Sequence, residues 1–426
     1  MSIIRGHKRW LIVVMLFFLS TINYLDRQSL SVLAPTLREQ LSFSVEQYSY
    51  IVSAFLVAYT TGYLFCGRVL DRLGTRGGIS IAISLWSAAT CLHALARSWT
   101  HFAGFRFLLG LGESFNAPGG AKAIREWIPQ KERALCMAVF STGNIFGAII
   151  APPVVSLLAL KFDWRLAFLV TGLVGFIWLF FWLKIYRSPD RDLSLAPAER
   201  QLILSDQNNT DASTSTASFW AVLGHPLTLA FILARLLTDS VPFFFSFWLP
   251  DYLRQNHNFG LAQIGMFAWI PYLAADLGGI TGGASSDFLV RRGWRAADAR
   301  RRILLAAACL TPAALVAVHV SSAIVSLVCI GLVLAAHSAW ITNLLTLMTE
   351  SMPPHFTGQL VALSGVGGSI GGIISNLATG KLVATFGYVP VFTLLSFVHS
   401  MAFIILCVLS RRAHKSLNCC GQAFSS

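Results

Sequence analysis

Charge is what this chain has least of. Only 32 basic and 19 acidic side chains occur in 426 residues, 12% of the total, against 55% hydrophobic residues and a mean hydropathy of +0.65. A soluble domain of this length carries about 25% charged residues, so a water-soluble fold is excluded. Cysteine is scarce in any useful arrangement. The eight cysteines lie mostly singly in apolar runs with no CxxC spacing, which excludes a disulfide framework and a cysteine metal site and leaves small buried hydrophobes. Cys419 and Cys420 are read as an incidental pair rather than an acylation site. Neither HExxH nor a glycine-rich phosphate loop occurs, so no enzyme, metal or cofactor is expected. A signal-peptide cleavage site is also missing. Asn23, Tyr24, Asp26 and Arg27 stand where small residues would be needed, so the first apolar run is expected to stay as a span.

What is present in quantity is long apolar sequence. Runs near the roughly 20 residues that a helix needs to cross a bilayer recur about twelve times. They fall near 10–33, 47–67, 78–97, 101–122, 134–159, 165–186, 226–250, 262–285, 302–320, 323–348, 357–380 and 387–410. The net charge of +13 does not call for nucleic acid, because the basic residues follow the segments between spans. With the N-terminus inside, 23 of the 32 lie in inner segments, 6 in outer loops and 3 within spans (Arg27, Arg106, Arg235). That asymmetry places both termini in the cytoplasm. The expectation is an all-α polytopic protein of the cell's inner membrane, with twelve transmembrane helices in two pseudo-symmetric six-helix bundles. Its divisions are a first bundle over 1–186, a cytoplasmic linker over 187–219, a second bundle over 220–412 and a tail over 413–426. A short amphipathic helix is expected near 196–204, and the sequon at Asn208 is read as chance. Function as a monomer is expected.

The few charges inside spans carry the argument. Arg106 and Glu113 interrupt the fourth span. Seven residues apart, they share a helix face, about 10 Å apart in rise, too far to pair with each other. Gly110 between them leaves room for a ligand or another helix. Each costs about 3 kcal/mol at mid-bilayer, so such charges normally face a cavity on a substrate or proton path. Asp26 and Arg27 stand side by side in the first span, with Ser20 and Asn23 on the Arg27 side. Adjacent residues point about 100° apart, so each needs a partner elsewhere, and Glu113 and Arg106 are the candidates. The other reading of Asp26 and Arg27 is a water-exposed helix end, since apolar sequence continues only to about Ala34. Tyr59 lies mid-span four residues before Tyr63, and a mid-span phenol needs a partner. The fifth span pairs Gly143 with Gly147 around Asn144 and ends in Pro152 and Pro153, which predicts close packing and a bend.

Gly67, Asp71, Arg72 and Arg76 form a polar turn between the second and third spans, where Gly67 is expected to permit close helix approach. The second half repeats it, Gly283 to Asp287 matching Gly67 to Asp71 at an offset of 216 residues, and the eleventh span resembles the fifth in its glycines. The intramembrane charges are not repeated. Polar candidates there are Arg235 with Asp239, read as an i,i+4 pair; Asp276; His337, read as a packed histidine; and Asn343 and Asn376. The run Phe243 to Trp248 is read as packing before sugar stacking.

The GxxxDRxGxR turn between spans two and three resembles the inner-loop signature of the major facilitator superfamily. YLDR in the first span with RFLLGLGESFNAPGG in the fourth resembles its anion:cation symporter family, and MFAWIPYLAADLGG, Met266 to Gly279, is similar to its hexuronate transporters. The resemblance implies a transporter of organic anions, often with protons, working by alternating access. It implies a site lined by Tyr24, Asp26, Arg27, Tyr59, Arg106 and Glu113, with Asn144 where some members have glutamine. Guanidinium groups suit a carboxylate, so Arg27 and Arg106 are expected to bind the anion and Asp26 and Glu113 to carry protons. Gly67, Asp71, Arg72, Arg76 and Asp287 are expected to gate, with Asp71 and Asp287 latching the inner ends of the two halves. A multidrug antiporter of the same fold, or a transporter-like sensor, is the alternative.

Overall fold

The computed structural model describes residues 8–192, 194–207, 219–352 and 354–423. Asn208, the linker stretch 208–218 and the side chains of Cys419 and Cys420 lie outside the described residues. Among the described residues every regular element is a helix. In chain order they are α1 (Lys8–Leu41), α2 (Val45–His93), α3 (Trp99–Glu113), α4 (Asn116–Trp127), α5 (Gln130–Lys161), α6 (Trp164–Ile185), α7 (Pro197–Gln207), α8 (Phe219–Gly224), α9 (Pro226–Thr238), α10 (Ser240–His257), α11 (Leu261–Phe267), α12 (Ile270–Arg291), α13 (Ala296–Leu310), α14 (Ala313–His319), α15 (Ala323–Ser351), α16 (Pro354–Phe386) and α17 (Val389–Ala423). Among the described residues they make twelve membrane crossings. Four crossings are broken pairs (α3 with α4, α9 with α10, α11 with α12, α13 with α14), and α2 makes two.

Local chemistry sets these limits. Ser44 opens α2 with a capping box, its hydroxyl accepting from Gln47 N at 3.1 Å and its N–H donating to Gln47 Oε1 at 2.9 Å. Ser98 caps α3 and Asp163 caps α6. Within α2 the chain turns at Gly74, φ 69° and ψ 166°, a conformation that only glycine adopts readily. The first helix does not end near Ala34 as its apolar content suggests. It runs through Pro35 to Leu41, so Asp26 and Arg27 sit inside it, and Asp26 is 1% exposed. Helix α5 likewise continues through Pro152 and Pro153.

The chain divides into two compact units, residues 1–213 with 259–269, and 214–258 with 270–426. In the first, α1 and α5 cross at Gly143 and Gly147. A Cβ at Gly147 would lie 2.5 Å from Thr21 O and 2.8 Å from Tyr24 Cβ. In the second, Gly367 and Gly371 of α16 meet Ile232 and Leu236 of α9. The same pair of spans therefore crosses on small residues in each unit. Gly110 of α3 is closed off too, a Cβ there falling 2.5 Å from Phe55 O of α2, so its gap holds a helix backbone and not a ligand. Gly67 departs from expectation. It lies on an exposed stretch of α2 where a Cβ would meet nothing within 4 Å, and the close approach occurs at Gly62, against Ser114.

Beyond α6 the polar chain is packed on the first unit as far as α7. Lys8 bonds to Asp192 and donates to Ser194 Oγ at 2.9 Å, while Arg9 pairs with Glu132 at 3.1 Å and its N–H donates to Glu199 Oε1 at 3.1 Å. Burial pushes the Asp192 carboxyl up, but Lys8 and Ser194 outweigh it and hold it below the usual carboxylate value. Helix α7 lies where the short amphipathic helix was expected.

Candidate functional site

The centre of the first unit brings together the charges that the sequence left without partners. Arg27 of α1 reaches Glu113 at the end of α3, its Nε and Nη2 donating to Oε2 at 2.9 and 2.8 Å. Glu113 is fully buried and the Arg27 side chain 11% exposed. Three rings surround the guanidinium, Tyr24 at 4.7 Å, Tyr59 at 5.0 Å and Phe55 at 5.2 Å. Phe55 and Tyr59 stack on each other at 5.8 Å and Tyr59 on Tyr63 at 6.2 Å. A buried cation gains from such faces where water is excluded. Glu113 ends its helix because the span breaks there. Ser114 N bonds to Gly110 O at 3.1 Å and Phe115 N to Gly112 O at 3.3 Å, a tightened turn before α4. Asn116 then ties α4 to Ser20 of α1 at 3.4 Å.

The second expected pairing does not form. Arg106 Nη1 donates to the Arg27 carbonyl at 3.1 Å, because its side chain reaches across to the backbone of α1 and not to Asp26. The Asp26 carboxyl faces Thr90 and Thr171, yet among the described residues neither of its oxygens lies at hydrogen-bonding geometry. The hydroxyl protons of those threonines are given to the carbonyls of Trp86 and Phe168.

Other candidates fall out in several ways. Asn144 on α5 is half-buried, and its Oδ1 has no partner among the described residues. In the second unit Asn376 Oδ1 accepts from Trp248 Nε1 at 2.9 Å. Arg235 and Asp239 pair as read, at 2.7 and 3.0 Å, with the Asp239 carboxylate pressed on Gly368. His337 is a packed histidine whose partner, His399, the sequence did not single out; their ring nitrogens are 3.2 Å apart and both rings are buried. Asn343 bridges helices, donating to Gly282 O at 3.2 Å and Ala339 O at 2.9 Å. Asp276 is half-buried on α12. Phe244, Phe245, Phe247 and Trp248 are at most 3% exposed, which is packing. A Gly-x-Ser-x-Gly string at Gly367 to Gly371 lies mid-helix in α16 against α9, with none of the strand-to-helix elbow that makes such a serine a nucleophile.

The turn residues are held within their own units. Asp71 pairs with Lys122 at 2.6 Å, Arg76 donates to the Leu183 carbonyl, and Arg72 is exposed. Asp287 pairs with Arg300 at 2.7 Å, and Arg300 also reaches Glu350 at 3.2 Å. Phe55, Asn116, Thr90 and Thr171 were not anticipated. Phe55 alone had a signal, standing four residues before Tyr59 on the same helix face.

Twelve crossings in two units, with small-residue crossings repeated between them and buried opposite charges in one, define a polytopic membrane transport protein and not an enzyme. The chain belongs to the major facilitator superfamily, whose family model matches residues 16–376. It is 32% identical over 406 residues to the hexuronate transporter of Escherichia coli (strain K12), which covers 93% of either chain. It is 36% identical over 277 residues to the galacturonate transporter of Dickeya chrysanthemi, covering 65% of this chain and 80% of that one. Among solved structures, a bacterial homolog of the human lysosomal transporter Spinster, inward-facing and unoccupied, matches with a TM-score of 0.73 at 17% identity over 96% of both chains. At that identity the likeness shows the fold alone.

Proposed function

We propose that this chain imports a sugar-acid anion, a hexuronate such as glucuronate or galacturonate or a related aldonate or aldarate, together with protons and by alternating access. The observation that carries the reading is Arg27, caged by Tyr24, Phe55 and Tyr59 and bonded to Glu113 inside the membrane. The names of the relatives agree with it. In the empty site Glu113 occupies donors of Arg27 that a substrate carboxylate needs. Protonation of Glu113 frees them, so anion binding and proton uptake favour each other. Arg106 supplies a second guanidinium, and Asp26 a second carboxyl that takes up a proton. Asn144, Tyr24 and Tyr59 face the sugar hydroxyls, with Asn376 contributing from the second unit. The bundles 1–186 and 220–412 are the moving bodies, tethered by 187–219, and Asp71, Arg72, Arg76 and Asp287 gate them. The basic residues orient both termini to the cytoplasm of an inner membrane. The monomer is the working unit.

A multidrug antiporter is disfavoured because two buried arginines repel a lipophilic cation. The deciding measurement is thermal stabilisation of the purified protein by glucuronate, galacturonate, galactonate and galactarate beside a lipophilic cation. A ligand at a hundredfold its Kd adds about 2.7 kcal/mol to stability. At least one sugar acid is expected to raise Tm; a rise with the cation alone sinks the reading.

A further inference from the structure

We propose that the basic end of the first unit holds a binding site for the phosphodiester headgroup of an anionic phospholipid, between the turn at Gly74 and the chain leaving α6. The site is a cavity of about 640 Å³ lined by Arg72, Arg76, Arg187 and Arg191 and by the carboxylates of Glu126 and Asp190. Both carboxylates are engaged. Glu126 accepts from Thr75 Oγ1 and from Tyr186 OH, each at 2.5 Å. Asp190 accepts the Ser188 hydroxyl and lies 3.7 Å from Arg191. Arg76 is held in place, donating to the Leu183 carbonyl while its own carbonyl accepts from Trp182 Nε1 at 3.3 Å. Arg72 and Arg187 have neither a hydrogen bond nor an ion pair among the described residues. Two guanidiniums on the cavity are thus paired with neither of its carboxylates, and their forked donors match phosphate oxygens.

The helix that ends at the cavity argues for a lipid over a soluble phosphate. Ile177, Phe180 and Phe181 of α6 are 58%, 52% and 50% exposed at i, i+3, i+4 spacing, and the stripe ends at Lys184, whose ammonium lies 4.0 Å from the Phe180 ring centre. Arg187 follows just beyond α6. An acyl chain along the stripe brings its headgroup to the arginines. A soluble anion makes no use of the stripe. Basic pockets at helix ends on the cytoplasmic side recognise anionic headgroups in this way.

The test is melting of the purified full chain in detergent, titrated with phosphatidylglycerol, phosphatidylcholine and glycerol phosphate. Phosphatidylglycerol is expected to raise Tm saturably, and the other two are not. Arg72→Gln with Arg187→Gln should weaken the phosphatidylglycerol response about thirtyfold, and Arg187→Gln alone, in a segment outside any helix, about fivefold. Arg292→Gln with Arg302→Gln, which removes the same charge from the second unit, should leave it unchanged. Equal losses in both double variants would mean diffuse surface attraction and overturn the site. Stabilisation by glycerol phosphate equal to that by phosphatidylglycerol would overturn the lipid as its occupant. A full response in Arg187→Gln overturns the assignment even if the double variant does not fold.

Discussion

Arg27 engages one oxygen of Glu113 through two nitrogens, and among the described residues the other oxygen, Oε1, is buried without a hydrogen bond. The open oxygen is an acceptor, so a proton arriving on Glu113 finds a free site there, and the Arg27 donors released by it are the ones an incoming carboxylate takes. Lysine at 27 offers a point charge in place of the fork and fits the ring cage less well. Charge-assisted hydrogen bonds contribute about 1.5–3 kcal/mol each, so Arg27→Lys should weaken sugar-acid binding about ten- to a hundredfold. Isothermal titration checks this, and unchanged affinity in both Arg27→Lys and Arg106→Lys would remove the arginines from the site. Asp192 makes a stability prediction instead. Its side chain is fully buried against Lys8. Its carboxyl titrates below the usual value in the folded chain, so the stabilisation is present above about pH 4 and is lost as pH falls through the lower folded value. Asp192→Asn should therefore lower Tm at pH 7, by about 1–3 kcal/mol of stability, and the gap to wild type should narrow as pH falls below about 4. A gap that stays constant with pH would show that Lys8 does not select the ionised form.

Helix contacts depend on where glycine meets backbone, and two glycines of the first unit make opposite predictions. Gly147→Leu drives a side chain into Thr21 O and Tyr24, contacts that a backbone carbonyl cannot yield, so overpacking of about 1–3 kcal/mol and a displaced Tyr24 should follow. Gly67→Ala meets nothing and removes a helix-weakening residue, so Tm should hold or rise by the equivalent of about 0.5–1 kcal/mol. Paired melting curves decide it, and a larger loss at 67 than at 147 would contradict the packing. The same contrast shows how far elements can be read from sequence. Small residues at four-residue spacing announced close packing of α5, because close helix approach needs them, without naming α1 as the partner, and the i,i+4 rule found Arg235 with Asp239. Hydropathy failed at the end of α1, since polar residues beyond Ala34 stay helical without being apolar. It could not foresee the break after Glu113, which rests on one i→i−3 backbone bond, from Phe115 N to Gly112 O, and no marker residue. Thr90 and Thr171 beside Asp26 were illegible for another reason: ordinary core threonines become noteworthy only when distant helices bring them to a carboxyl.

The two units share a plan but not a chemistry. Asp71 and Asp287 occupy equivalent turns and each bonds a basic residue of its own unit, yet the paired charges differ at the centre. In the first unit Arg27 and Glu113 come from different spans, so the pair can part when one partner is protonated or a ligand arrives. In the second, Arg235 and Asp239 lie four residues apart on one stretch of chain and are satisfied locally. The proposed coupling is therefore assigned to Glu113, and it is tested as a property of the whole transporter working against a gradient. Glutamine at 113 keeps the shape of the protonated acid and cannot hold Arg27 as a carboxylate does. Glu113→Gln should bind and exchange substrate, with binding less dependent on pH. For each proton carried, one pH unit supplies about 1.36 kcal/mol, enough for about tenfold accumulation of the substrate. In proteoliposomes preloaded with unlabelled sugar acid the variant should take up label. In empty proteoliposomes under an imposed gradient of one pH unit, wild type should concentrate label about tenfold per proton and the variant should stop at equal concentrations. Accumulation by the variant at the wild-type level would return Glu113 to a structural ion pair and pass coupling to Asp26, the remaining buried carboxyl of that core.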